Sequence, residues 1–368
     1  MKGFKIMEQK EHFHGSDLEK IEQIYGIKKE DIISFSANVN PFGISPKIKE
    51  AITAQIDVIS SYPDREYTSL RQAIALYAGC DKDQILVGNG CTELISLFIQ
   101  ITAPKQTLLL GPTYSEYERD LKLAGSQVMN YLLKKEDNFI LNVEDFLSHI
   151  TKETDLLIIC NPNNPTGGCL STDILETILS HCKKTDTYVM VDETYVEFTP
   201  DITKVSAIPL CDRFDNLIVL RGTSKFFAAP GLRLGYAACG SSYILNEINT
   251  KKNPWMLNSL AVIAGEAMFS DTEYIENVRN LMTKERTRMM ELFQNSTLYK
   301  PYPCSSNFLL LEILDDSLTS SYLFDKAIRQ NMMIRDCSTF PSLGDRFIRF
   351  CFMNPEDNDR LAKCLLKP

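Results

Sequence analysis

The stretch Asn216-Leu217-Ile218-Val219-Leu220-Arg221-Gly222-Thr223-Ser224-Lys225 decides how this chain is read. An unbroken apolar run ends in small polar residues and a lysine, and Phe226-Phe227-Ala228-Ala229 turns apolar again. Eight residues past the lysine lies Arg233, inside Pro230-Gly231-Leu232-Arg233-Leu234-Gly235. A continuously apolar strand is the pattern of a strand covered on both faces. Burial disfavours the charged form of a lysine and lowers its pKa, which leaves a fraction as neutral amine. Such an amine is what a Schiff base with an aldehyde cofactor requires, and a nearby arginine suits an anionic group on the same cofactor. Taken alone, the segment reads equally well as a strand-end lysine snorkelling to solvent. The rest of the chain separates the two readings.

Upstream, helical and strand patterns alternate. Apolar spacing predicts helices over Thr68–Ala78, Thr92 to about Ile101, Ser115–Leu123 and Ser171–Lys183. Short apolar runs predict strands over Gln84–Val87, Thr107–Leu110, Gln127–Leu133, Leu156–Cys160, Tyr188–Asp192 and Asn216–Leu220. This alternation implies an α/β domain with a mostly parallel sheet sandwiched by helices, whose sites lie at the carboxyl ends of the strands. After Pro254 the pattern changes. A long helical stretch covers Leu257 to Phe293, broken near Asp271-Thr272. A strand at Asn307–Ile313, a helix at Ser320–Arg329, strands at Met332–Arg335 and Phe347–Phe352, and a helix from Glu356 follow. The expected organisation is a large domain over 38–256 and a small α+β domain built from 1–37 and 257–368.

Composition narrows the function classes. The chain has 368 residues, 44% hydrophobic and 24% charged, as in an ordinary globular protein large enough for more than one core. A net charge of -9 argues against a nucleic-acid partner, which needs a basic face. No run approaches the roughly 20 apolar residues of a membrane span, and Met1 to His14 lacks the apolar core of a secretory signal. Eleven cysteines, an odd number with no C-x-x-C pair, read as free thiols in a reducing cytoplasm. Four histidines, His12, His14, His149 and His181, form no ligand cluster, so no metal is expected.

Three further motifs fall at strand ends. Gly88-Asn89-Gly90-Cys91-Thr92 joins a strand to a helix. Its glycines permit a tight turn, and the helix start offers free N–H groups and partial positive charge to a phosphate. It is neither a P-loop nor a G-x-G-x-x-G motif, and a plain strand-to-helix turn is the commoner meaning. Asn161-Pro162-Asn163-Asn164-Pro165-Thr166-Gly167 is more specific, with prolines and a glycine fixing the backbone around a displayed amide. In Val191-Asp192-Glu193-Thr194-Tyr195 a carboxylate ends an apolar strand, costly unless paired. Asp192 could cap a helix, or pair with a protonated ring nitrogen beside the Tyr195 phenol. An amide, a carboxylate, an amine, an arginine and a phosphate cradle on one sheet edge together fit pyridoxal 5'-phosphate.

With these motifs the chain resembles the fold-type I pyridoxal-phosphate enzymes, in the class I/II aminotransferase branch that holds histidinol-phosphate aminotransferase and threonine-phosphate decarboxylase. The resemblance runs from about His14 to the last helix. It implies that Lys225 carries the cofactor, that Asp192 meets its pyridine nitrogen, and that Asn164 and Tyr195 bond its ring oxygen. It implies that Tyr114, in Gly111-Pro112-Thr113-Tyr114, stacks on the ring, and that Gly90, Cys91, Thr92, Ser224 and Arg233 hold its phosphate. Tyr62, in Ser61-Tyr62-Pro63, resembles the tyrosine that reaches that phosphate from a neighbouring subunit, which implies a homodimer with shared sites. Gly222 departs from relatives that often carry Ser or Thr three residues before the lysine.

The reaction turns on the N-terminal region and two C-terminal arginines. His14-Gly15 and Phe35-Ser36-Ala37-Asn38-Val39-Asn40-Pro41-Phe42-Gly43 resemble threonine-phosphate decarboxylases of cobamide synthesis, where the matching histidine and asparagine help hold the substrate phosphate. The same resemblance gives the α-carboxylate to Arg349 and the phosphate side to Arg335, and both suit bidentate anion binding. Asp192-Glu193-Thr194-Tyr195 matches the aminotransferase as well, and Ser16 after His14-Gly15 replaces a glycine frequent in the decarboxylase. The expected activity is therefore decarboxylation of O-phospho-L-threonine or a close phosphoamino acid to an aminoalkyl phosphate. The alternative is transamination by a histidinol-phosphate aminotransferase, and a more remote one is a pyridoxal-phosphate-binding regulator.

Overall fold

The computed structural model describes residues 17–367. His14 therefore lies outside the described residues. A short strand, β1 (Ile33–Ser34), precedes the main sheet. The main sheet comprises β2 (Ile85–Gly88), β3 (Gln106–Gly111), β4 (Gln127–Leu132), β5 (Leu156–Cys160), β6 (Tyr188–Asp192), β7 (Leu217–Gly222) and β8 (Gly235–Cys239). Their order is β2-β8-β7-β6-β5-β3-β4. All neighbours are parallel except those of β8, which pairs antiparallel with both β2 and β7. Two antiparallel steps restore the direction, so β2 points the same way as β7. The carboxyl ends of β2, β3, β5, β6 and β7 thus share one edge, and the start of β8 joins them there.

These strands lie between two apolar layers because successive side chains point to opposite faces. Leu157, Ile159, Val189, Val191, Leu217 and Val219 enter one layer; Leu156, Ile158, Met190, Ile218 and Leu220 enter the other. Burial of each such side chain contributes about 1.5–3 kcal/mol, which explains why the central strands β5, β6 and β7 carry no charged or amide side chain until their ends. Helices over Thr68–Ala78 and Ser115–Leu123, and strands β5 and β6, have the bounds that their apolar spacing predicts.

A second sheet is built from β9 (Tyr299–Pro301), β10 (Phe308–Ile313), β12 (Arg335–Asp336) and β13 (Phe347–Cys351), ordered β12-β13-β10-β9, while β11 (Met332–Met333) pairs with β1 instead. The single strand expected over Met332–Arg335 is therefore two strands. The chain bends at Ile334 and exchanges a parallel partner, β1, for an antiparallel one, β13. The β1 pairing, and the Cys351 N–H donating to Phe35 O at 2.8 Å, tie the N-terminal segment to this smaller sheet. The helical stretch after Leu257 breaks where expected, into Ser259–Phe269 and Thr272–Gln294. The first of these packs on the helices Pro46–Ala54 and Thr68–Ala78, in the layer of the large sheet, and the second reaches β9 and β10. The strand β8 and the helix Ser242–Lys251 carry no strong periodicity, and long-range pairing rather than local pattern places β8.

Candidate active site

Lys225 follows β7 by three residues, and its Nζ donates to Ala37 O at 2.7 Å. Its own carbonyl accepts the Asn40 N–H at 3.1 Å, so the segment Ala37–Asn40 lies over it. Burial, followed by the charges of Arg349 and Arg233, lowers its pKa to about 8. The desolvated amine expected from the apolar flanks is present.

Asp192 ends β6 and is 5% exposed. Tyr117 donates to its Oδ2 at 2.5 Å, and Thr194 donates to its Oδ1 through the backbone N–H at 2.9 Å and through the hydroxyl. Burial raises the Tyr117 hydroxyl well above its ordinary pKa, and the Asp192 charge adds to this, so Tyr117 remains a donor. One residue on, Glu193 forms a fully buried ion pair with Arg221 at 2.8 Å, which ties the carboxyl ends of β6 and β7 together behind Asp192 and Lys225.

Arg349, on β13, crosses to the large sheet. Its Nη1 donates to Asn164 Oδ1 and its Nη2 to Ser36 O at 2.8 Å. The guanidinium lies 5.1 Å over the Phe308 ring, and its buried Nε has no partner. Because Arg349 occupies the amide oxygen of Asn164, the free end of that side chain is its NH2 donor. Tyr195 is buried, with burial pushing its phenol pKa up, and its hydroxyl accepts the Asn38 amide at 3.1 Å. Asn38 was expected on the phosphate side of the substrate. Its Nδ2 donates to the Tyr195 hydroxyl, its carbonyl accepts from Asn307 at 3.0 Å, and its Oδ1 is buried without a partner. Its backbone is left-handed, with φ 57°. Arg335 is 7% exposed, donates to Thr339 Oγ1 at 2.8 Å and covers the Phe340 ring at 5.2 Å.

At the β2 end, Gly90 has φ 80° and begins the helix Cys91–Thr102. A Cβ on Gly90 would run into the Arg233 guanidinium, and one on Gly235 would lie 2.5 Å from Cys91 N. Only glycines let β8, Arg233 and this helix start approach so closely. Thr92 and Arg233 are exposed and Ser224 is half-buried beside them in sequence order on the same edge. The space of a side chain at Gly222 is taken by Cys91 Sγ, 3.0 Å from where a Cβ would be. Tyr114 begins the helix Ser115–Leu123 and packs edge-on to Tyr117 at 5.5 Å. Tyr62 is 82% exposed and lies against Trp255 at 5.0 Å. Sequence reading missed Tyr117, Thr194 and the Glu193–Arg221 pair. Tyr117 stands on an ordinary amphipathic helix, and nothing local announces that it meets a strand end 75 residues later.

Residues 30–365 match the model for aminotransferase class I and II. The chain belongs to that family. It is 37% identical over 329 residues to a protein of Caldanaerobacter subterraneus that bears the provisional name threonine-phosphate decarboxylase, covering 89% of this chain and 88% of that one. It is 30% identical over 352 residues to threonine-phosphate decarboxylase of Salmonella typhimurium, covering 96% and 95%. The crystal structure of histidinol-phosphate aminotransferase from Clostridium acetobutylicum superposes with a TM-score of 0.84 at 31% identity, over 90% of this chain and 97% of that one.

As a class I and II aminotransferase family member the protein is a pyridoxal 5'-phosphate enzyme of the decarboxylase and aminotransferase kind. Its residues fit the cofactor. The cradle at Gly90 and Gly235 leaves backbone N–H groups and Arg233 for a phosphate, Asp192 is braced by three hydrogen bonds, and the amine of Lys225 is desolvated. No helix among the described residues is long and apolar enough to cross a membrane.

Proposed function

We propose that this protein decarboxylates O-phospho-L-threonine, or a close phosphoamino acid, to an aminoalkyl phosphate in cobamide biosynthesis, as a cytoplasmic homodimer. The observation that carries this reading is the pair of buried guanidiniums, Arg335 and Arg349, on facing strands. Two such cations suit a substrate with two anionic ends, an α-carboxylate and a phosphate. Histidinol phosphate has a single anionic group, but the 2-oxo acid that accepts the amino group in transamination has two, so product analysis rather than the arginine pair separates the two readings.

Lys225 holds the cofactor and later returns a proton to Cα, a task that suits an amine with a pKa of about 8. Asp192 keeps its carboxylate at the ring nitrogen, and Tyr117 and Thr194 fix its orientation. The Asn164 amide and the Tyr195 hydroxyl would hold the ring oxygen, and Tyr114 would pack on the ring. Gly90, Cys91, Thr92, Ser224 and Arg233 hold the phosphate, with Tyr62 of the partner subunit. Arg349 binds the α-carboxylate and Arg335 the substrate phosphate, joined by His14 and Asn38, whose amide also donates to Tyr195. When bound, the cofactor supplies the electron sink for the bond that breaks.

Transamination by a histidinol-phosphate aminotransferase is the second reading, supported by the match to the Clostridium acetobutylicum structure. There Lys225 takes the Cα proton instead. The test is to incubate holoenzyme with O-phospho-L-threonine and measure CO2 and aminopropanol phosphate. Neither product, together with stoichiometric conversion of the cofactor to its amine form by histidinol phosphate, would sink the first reading in favour of the second.

A further inference from the structure

Tyr195 immediately precedes a single 3-10 turn, Val196–Phe198. Within it Val196 O accepts the Thr199 N–H at 3.0 Å. The last two carbonyls of the turn take arginine donors from the helix Thr272–Gln294 instead. Arg279 Nε donates to Glu197 O at 3.3 Å, and Arg286 Nη2 donates to Phe198 O. The two arginines are seven residues apart, about two turns, so they leave one face of that helix. Carbonyls left over at the end of a turn carry partial negative charge and favour cations. Arg286 also donates from Nε to Ser306 O at 3.0 Å. Ser306 leads into Asn307, whose amide donates to Asn38 O at 3.0 Å, and into Phe308, whose ring packs edge-on to Tyr195 at 5.0 Å. Asn38 in turn donates to the Tyr195 hydroxyl at 3.1 Å. One guanidinium therefore spans the turn that begins at Tyr195 and the segment that packs on its ring and anchors its hydroxyl partner. Arg286 is 7% exposed, and among the described residues no carboxylate lies within 4.0 Å of it. Burying a charge without a counter-ion is costly, a cost that an apolar strut of similar length would avoid.

We propose that Arg286, seconded by Arg279, is a positioning residue for Tyr195. It acts through the carbonyls of Phe198 and Ser306 to hold the phenol hydroxyl where it meets the ring oxygen of the cofactor. The proposal rests on the reading that Tyr195 bonds that oxygen. Neither arginine touches substrate or cofactor; both act from the far side of the Tyr195 turn.

The experiment follows the cofactor absorbance of holoenzyme as a function of pH, alongside urea denaturation. A hydroxyl that donates to the ring oxygen favours negative charge there, so its loss raises the pH midpoint. Tyr195→Phe should raise the midpoint by about 1–2 units, the worth of one hydrogen bond to a charged group. Arg286→Met keeps the buried stem, removes the donors, and should raise it by about half a unit or more. Arg286→Lys keeps the charge but cannot span both carbonyls, and its midpoint should fall between wild type and Arg286→Met. A wild-type midpoint in both Arg286 variants, with only stability reduced and the Tyr195→Phe shift intact, would overturn the positioning role and leave a structural strut. A wild-type midpoint in Tyr195→Phe would overturn the reading of Tyr195 and the positioning role with it. Should Arg286→Met fail to fold, Arg279→Met carries the same test from the half-buried end of the brace, with the same direction of shift.

Discussion

Arg335 and Arg349 stand directly opposite each other on β12 and β13, and both are more than nine-tenths buried. Like charges facing across an antiparallel pair destabilise it. Among the described residues no carboxylate lies within 4.0 Å of Arg349, whose donors go to Asn164, Ser36 O and the Phe308 face. Arg349 therefore carries a buried charge that a bound anion would neutralise. A dianionic substrate analogue is expected to raise the melting temperature of holoenzyme by several degrees. Arg349→Lys keeps the charge but loses the fork that spans Asn164 and Ser36, and kcat/KM is expected to fall about 100-fold. An unchanged kcat/KM in that variant would remove Arg349 from the site.

The Lys225 amine should set the pH dependence of cofactor capture by apoprotein. Its pKa is lowered from 10.5 to about 8 by burial and by Arg349 and Arg233. Below pH 8 the amine is protonated in the folded chain and unreactive; above it the neutral form predominates. The rate of capture should rise tenfold per pH unit below 8 and level off above it. A midpoint near 10.5 would mean that the amine is solvated.

Tyr117→Phe removes the donor to Asp192 Oδ2 while keeping the ring that Tyr114 packs against. The loss of one bond to a carboxylate costs about 1.5–3 kcal/mol. The variant should show a shifted cofactor absorbance and a kcat reduced about tenfold or more, with KM nearly constant. A change in KM alone would contradict a role exercised through Asp192.

Glu197 is buried, its Oε2 has no partner, and burial raises its carboxyl pKa to about 7 against the opposing field of Arg221. The folded state then binds a proton that the unfolded state has already released between pH 4.5 and 7. The stability associated with this group is present below pH 4.5 and is lost as pH rises through 7. Glu197→Gln should therefore be stabilising relative to wild type at pH 8, by about 2 kcal/mol, and nearly neutral at pH 4. Equal denaturation midpoints of the two proteins at pH 8 would refute this.

The exposed Tyr62 gives a test of the shared site. Mixing Lys225→Ala chains with Tyr62→Phe chains should form hybrid dimers in which one site carries both lesions and the other neither. Activity should then exceed that of either variant alone, measured after subunit exchange. No gain in a mixture proven to exchange would place Tyr62 outside the partner's site.

Much of this was legible along the chain because strand ends advertise themselves. An apolar run can be buried on both faces only as far as its last apolar residue, so Asp192, Asn164 and Lys225 mark where β6, β5 and β7 leave the core. Parallel order then puts all three on one edge. The sequence by itself determined the α/β architecture from local hydrophobic pattern, and it singled out Lys225 only through the company of Asn164, Asp192 and Arg233 on one sheet edge and the resemblance they carry. Only the tertiary structure decided what supports them. Tyr117 braces Asp192, Asn38 meets Tyr195, and Met332–Arg335 splits so that Arg335 faces Arg349. These contacts join residues 14 to 157 positions apart. Their geometry depends on strand order, register and a bend at Ile334, none of which a local pattern of residues encodes.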